Sequence, residues 1–116
     1  MSVRELSVTA DYVVREMRLE PGAVSVWHVD PCRRYSVVLA GERLAIEFAG
    51  VPEREEFPVY RGLSGWDEPE PRVHRAINTG SEPYVEVVTI LRPAPDVEVQ
   101  PERIPVPQEG RYWQKS

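Results

Sequence analysis

Apolar and polar residues alternate with a period of two along most of this chain, the pattern of half-buried β-strand. In VVREMRLE, Val13, Met17 and Leu19 fall on one face, and Glu16, Arg18 and Glu20 on the other. Pro21-Gly22 predicts a turn, after which Val24 and Val26 continue a strand. YSVVLAGE followed by LAIEF reads as a hairpin about Gly41-Glu42, with Leu44, Ile46 and Phe48 on one face opposite Ala45 and Glu47. GVPEREEFP reads as a charged loop, VYRG as a short strand and GWDEPEP as a proline-broken loop. RVHRAINTGSEPYVEVVTIL predicts a strand, a turn at Thr79-Gly80-Ser81 and a long apolar strand. No window carries a helical period. Short strands spaced by Pro/Gly turns predict an all-β fold, an antiparallel sandwich or barrel.

Length and composition narrow this picture. A chain of 116 residues, 41% hydrophobic and 28% charged, suffices for one domain with its own core. Five of its 12 prolines follow Leu91, which separates residues 1–92, expected as the barrel, from 93–116. The second segment is expected as an extended Pro-rich tail, packed on the barrel or a partner subunit, where Tyr112 and Trp113 could dock. A net charge of −5 argues against nucleic acid and gives no polybasic membrane surface. The single Cys32 forms no internal disulfide. No apolar run approaches the ~20 residues of a membrane span. MSVRELSVTADYVVREM is charged throughout, without a signal-peptide core, so a soluble cytoplasmic protein is expected.

One stretch departs from the pattern. GAVSVWHVDPCRRYSVVLAG opens and closes as strand but turns polar in between. Residues two apart on a strand share a face, so His28 and Asp30 point with Val24 and Val26, inward, until Pro31 ends the strand. The other histidine, His74, shares a face with Ala76 in RVHRAIN. Two imidazoles and a carboxylate suit a divalent transition metal and leave coordination positions open. The same residues also fit the simpler reading of satisfied core or rim histidines. Cys32, just past a proline, reads as a loop cysteine, and Trp27, opposite His28, as packing. Trp66 either lines the mouth or packs outside it. Arg72 shares the His74 face and reaches toward the mouth, whereas Arg75 points outward.

With these residues in place, the sequence resembles the cupin family. Gly22, five residues and His28 fit the opening of the first cupin motif; Asp30 takes its second histidine position, Arg34 its glutamate position, and YSVVLA leads to the closing Gly41. PEPRVHRAIN resembles the second motif, with Pro69, Pro71 in place of glycine, His74 and Asn78. The resemblance spans roughly Arg18 to Leu91 and implies a small jelly-roll β-barrel, often dimeric, with a metal in its mouth. Carried over by position, it implies His28, Asp30 and His74 as ligands to iron, manganese, nickel, copper or zinc, and a structural role for Asn78. Arg34 cannot be a ligand, because a guanidinium has no lone pair to give. Either it binds the carboxylate or phosphate of a ligand beside the metal, with Arg72 nearby, or it pairs with Asp30 in a metal-free site. Three roles stay open: a metal-dependent oxygenase, isomerase or decarboxylase acting on a small anionic molecule; a metal-free binding module; and a structural barrel that dimerises through its N-terminal strand or its tail.

Overall fold

The computed structural model describes residues 1–92 and the two-residue strand Glu102–Arg103. The remainder of the expected tail, with Tyr112 and Trp113, lies outside the described residues. Among the described residues ten strands form: β1 (Ser2–Val8), β2 (Tyr12–Leu19), β3 (His28–Asp30), β4 (Arg34–Ala40), β5 (Arg43–Phe48), β6 (Glu55–Pro58), β7 (Ser64–Asp67), β8 (Glu70–Asn78), β9 (Tyr84–Leu91) and β10 (Glu102–Arg103). Among the described residues there is no helix, and so none long and apolar enough to cross a membrane.

The strands make two five-stranded sheets, ordered β1-β2-β9-β4-β7 and β10-β3-β8-β5-β6, with every pairing antiparallel. The inward face of the first sheet follows from register. Val13, Arg15, Met17 and Leu19 of β2 lie opposite Ile90, Val88, Glu86 and Tyr84 of β9, and Glu86 also lies opposite Val38 of β4. Leu44, Ile46 and Phe48 of β5 lie opposite Asn78, Ala76 and His74 of β8, as their shared alternation predicts. One end of the barrel closes on Leu19, Val38, Leu44, Val59, Ala76 and Tyr84, and a second cluster gathers Val13, Cys32, Val88 and Ile90. The Cys32 thiol is buried there, and burial pushes its pKa up, which makes it a poor nucleophile.

Asn78, at 1% exposure, ties the sheets together. Its Nδ2 donates to the carbonyls of Leu19 (3.0 Å) and Glu82 (2.8 Å), and its Oδ1 accepts from the Gly80 amide. The structural role implied by the resemblance is the one it plays.

Several local expectations need correction. Gly41-Glu42 is not a hairpin, because β4 and β5 belong to different sheets. The chain crosses between them at Gly41, where φ is +145° and a Cβ would stand 2.9 Å from the Tyr84 ring and 3.1 Å from Val59. Only glycine fits that conformation and that approach. The strand expected through Val24 and Val26 shrinks to a lone Val24–Ile77 bridge before β3. Ser25 and Trp27 are buried there while Val24 is exposed: Ser25 exchanges hydrogen bonds with the Ala76 backbone, and Arg75 covers the Trp27 ring from outside. The charged loop contains β6 and the proline-broken loop holds most of β7 and the start of β8, whereas VYRG forms the turn between β6 and β7. Pairing with β5 and β4 supplies backbone bonds that a charge- and proline-rich sequence does not advertise.

Candidate metal centre and cavity

His28 sits on β3 directly opposite His74 on β8, and the two rings lie 4.5 Å apart. A register shift between His28 and Asp30 brings the carboxylate round beside both imidazoles. His74 Nε2 lies 2.9 Å from Asp30 Oδ2, and His28 Nε2 lies 3.7 Å from the same oxygen. The three residues are buried or half-buried, and one donor atom from each falls within 4.8 Å of the others. This is the trio picked out by the H-x-D spacing and the second strand histidine.

Both rings are oriented in the same way. Nδ1 of His28 faces the Val26 carbonyl at 2.7 Å, and Nδ1 of His74 faces the Arg72 carbonyl at 2.8 Å. A proton on each Nδ1 satisfies that contact and leaves Nε2 as the atom that donates to Asp30 when protonated or would coordinate an ion when not, which is how outer hydrogen bonds fix the tautomer of metal-binding histidines. Ligand atoms bonded at about 2.1 Å to one ion sit roughly 3–4 Å apart, so the trio needs only a small inward adjustment. In composition and spacing, the donor set fits a divalent transition ion.

Without an ion, the same atoms form a charge network. Burial works against the Asp30 carboxylate, but the hydrogen bond from His74 and the charge of Arg34 outweigh it and hold its pKa below the usual range. Burial lowers the His28 pKa. For His74, burial also acts downward, but its bonds to Asp30 and the Arg72 carbonyl prevail and raise it.

Arg34, on β4, reaches this network from the opposite sheet. Its Nη2 lies 3.1 Å from Asp30 Oδ2, while Nη1 is buried with no hydrogen-bond partner among the described residues. Arg72 is placed differently. It lies at the rim, with Nε and Nη2 each 3.0 Å from a Glu70 carboxylate oxygen, and its guanidinium stacks 3.9 Å above the Phe48 ring. Its side chain is 62% exposed. Arg75 points outward to Glu47 at 2.7 Å, as expected. Trp66 stacks against Tyr35 and under Arg33, and register places it with Tyr35 on the outer face of the first sheet.

Beside the trio lies a cavity of about 600 Å³ between the sheets, bordered by Arg34, His74, Tyr84 and Glu86 among others. Glu86 is the residue that sequence reading passed over. It projects from the central strand of the first sheet between Met17 and Val38, and it accepts a hydrogen bond from the Tyr84 hydroxyl. Its side chain is half-buried, with the cavity beside it. That burial pushes its carboxyl pKa up, more than the Tyr84 hydrogen bond and the Arg34 charge bring it down. The available signal was a single acid in an otherwise apolar strand, YVEVVTIL.

Comparison with known proteins bears on the fold. No family model matches the chain, and no curated protein matches it by sequence. Solved structures do match. A cupin domain from Bordetella pertussis superposes with a TM-score of 0.69 at 22% identity, covering 78% of this chain and 92% of that one. A sugar phosphate isomerase of the cupin superfamily from Silicibacter pomeroyi gives 0.52 at 24% identity, over 71% of this chain and 51% of that one. A recombinant oxalate oxidase in complex with glycolate gives 0.60 at 22% identity, over 81% and 52%. At these identities the likeness concerns architecture, and the expected all-β antiparallel jelly-roll barrel is the architecture found. The fold of this chain is the one those cupin structures share.

Proposed function

We propose that this protein binds one divalent transition metal through His28, Asp30 and His74 and accommodates a small organic ligand in the adjoining cavity. The observation that carries this reading is the convergence of three donor atoms within 4.8 Å, with both Nδ1 atoms committed to backbone carbonyls. When bound, the ion supplies a Lewis-acidic centre with positions open to a ligand oxygen. The chain's own residues do the rest. His28 and His74 are locked in tautomer, Asp30 offsets positive charge, and Arg34 presents a guanidinium to an anionic group at the cavity's polar end. The oxalate oxidase and sugar phosphate isomerase structures keep oxidation and isomerisation in view as reaction types, by analogy of fold.

A second reading, favoured by the 3.1 Å contact of Arg34 with Asp30, is a metal-free pocket in which that pair holds the trio closed. A cation beside Arg34 meets like-charge repulsion unless Asp30 or a bound anion lies between them. Titration of chelator-treated protein with Zn²⁺ or Mn²⁺ separates the two. We expect one site per chain, weakened at least a hundredfold in His28→Ala and in His74→Ala; heat-silent titrations and unchanged melting in both metals would favour the metal-free pocket. A homodimer would cover the exposed apolar residues Val3 and Val8 on edge strand β1, and sedimentation would read the oligomeric state.

A further inference from the structure

The cavity holds more apolar surface than a metal site with a small polar ligand requires. Ile46 and Phe48 on β5 and Phe57 on β6 face inward, yet none is fully buried, because the space opposite them is cavity and not the other sheet. Val38, Leu44 and Val59 continue this wall toward the closed end of the barrel. The polar groups are confined and carry the opposite charge from what a multiply anionic ligand needs. Arg34 is the one permanent cation among the described lining residues, against Glu55, Asp67, Glu68, Glu70 and Glu86. Arg33 and Arg72 offset Glu68 and Glu70 at the rim, which still leaves Glu55 and Asp67 near the mouth and Glu86 on the floor. In the ion-free protein, a dianion such as oxalate, or a sugar phosphate, meets several carboxyls for one guanidinium, and with or without the ion it leaves the apolar wall uncovered.

We propose that the cavity takes a monocarboxylic acid with an apolar alkyl or aryl body, its carboxylate at Arg34 and its body against Ile46, Phe48, Phe57 and Val38. This rests on the reading that Arg34 marks the ligand's anionic end, and it narrows the ligand class beyond that reading. One charge satisfies the buried Arg34 Nη1, which has no hydrogen-bond partner among the described residues. The body displaces water from apolar surface, and a cavity of about 600 Å³ has room for a ligand well beyond two carbons.

The test is a calorimetric series of acetate, butyrate, hexanoate, octanoate and 3-phenylpropanoate, with oxalate and ribose 5-phosphate as comparators. It is run on the full chain, both chelator-treated and Zn²⁺-loaded. Affinity is expected to rise about threefold to fourfold per methylene from butyrate to hexanoate in both arms, with oxalate and the sugar phosphate weaker than hexanoate in the chelator-treated arm. Phe57→Ala should flatten the rise while leaving Zn²⁺ binding intact. Arg34→Gln should weaken hexanoate at least tenfold and leave hexanol unaffected, with urea melts confirming that both variants fold. A flat series, tighter binding of oxalate or sugar phosphate by the chelator-treated protein, or no binding of any acid would overturn the proposal. Because the chelator-treated arm does not depend on the ion, a rising series there upholds the ligand class even if the metal titration fails.

Discussion

Replacing Asp30 with alanine lowers folding stability by about 3–5 kcal/mol in the presence of chelator, the range for removing one partner of a buried ion pair. The carboxylate is the single acceptor shared by His74 at 2.9 Å and Arg34 at 3.1 Å, with His28 at 3.7 Å. The side chains of Asp30, His74 and Arg34 are 12%, 7% and 21% exposed, so water does little to replace the lost partner. Without Asp30, a guanidinium and an imidazole from opposite sheets face each other uncompensated. Asp30→Asn keeps an acceptor in place and should cost less than the alanine variant. Urea unfolding of the parent and both variants in chelator makes the comparison free of any contribution from bound metal. An alanine variant within about 0.5 kcal/mol of the parent, the scale of an ordinary surface change, would mean that the network does not hold the two sheets together here.

Glu86 gives the second large effect, through pH. Burial raises its pKa in the folded state, so between the unfolded value of about 4.3 and the raised folded value the native chain holds a proton that the unfolded chain has released. A raised carboxyl pKa contributes stability that is fully present below the unfolded pKa and is lost as pH rises through the folded one. Within that window the parent should lose up to about 1.4 kcal/mol per pH unit from this group. The groups around it are Tyr84, Arg34, Asp67 and Asp30. The carboxylates of depressed pKa, including Asp30 and Glu70, act in the opposite sense at lower pH, and the two histidines act near neutrality. The informative quantity is therefore the difference between the parent and Glu86→Gln, which keeps an acceptor for the Tyr84 hydroxyl but cannot ionise. That difference should favour the variant increasingly as pH rises above about 4.5. Parallel stability profiles for the two proteins would show that Glu86 is ionised and solvated in the native state.

The trio of His28, Asp30 and His74 was legible because each member breaks a pattern. His28 and Asp30 interrupt an apolar alternation, and the chain has one other histidine, also in mid-strand. Their facing depended less on alternation than it first looked: Val24 is exposed, Ser25 and Trp27 are buried, and it is the register shift in β3 that brings Asp30 to His74. Glu86 was not legible. Both faces of its strand are mainly apolar, so period-two reading offers no reason to ask where one acid points. Sheet membership was also out of reach at Gly41-Glu42, where alternation on either side fits a hairpin as well as a crossing between sheets. Only the contact of Gly41 with Tyr84 and Val59, distant in sequence, decides between them. Arg34 was legible as a departure from the cupin pattern, with Asp30 as one of its two expected partners; the structure gives that contact at 3.1 Å and adds its place on the cavity wall.

The most direct measurement is elemental analysis of the untagged protein, purified without chelator, alongside a His28→Ala, His74→Ala double variant. The account predicts close to one equivalent of iron, manganese, nickel, copper or zinc per chain in the parent and none in the variant. Parent and variant equally free of metal, even after reconstitution near neutral pH where the imidazoles are mostly unprotonated, would contradict it.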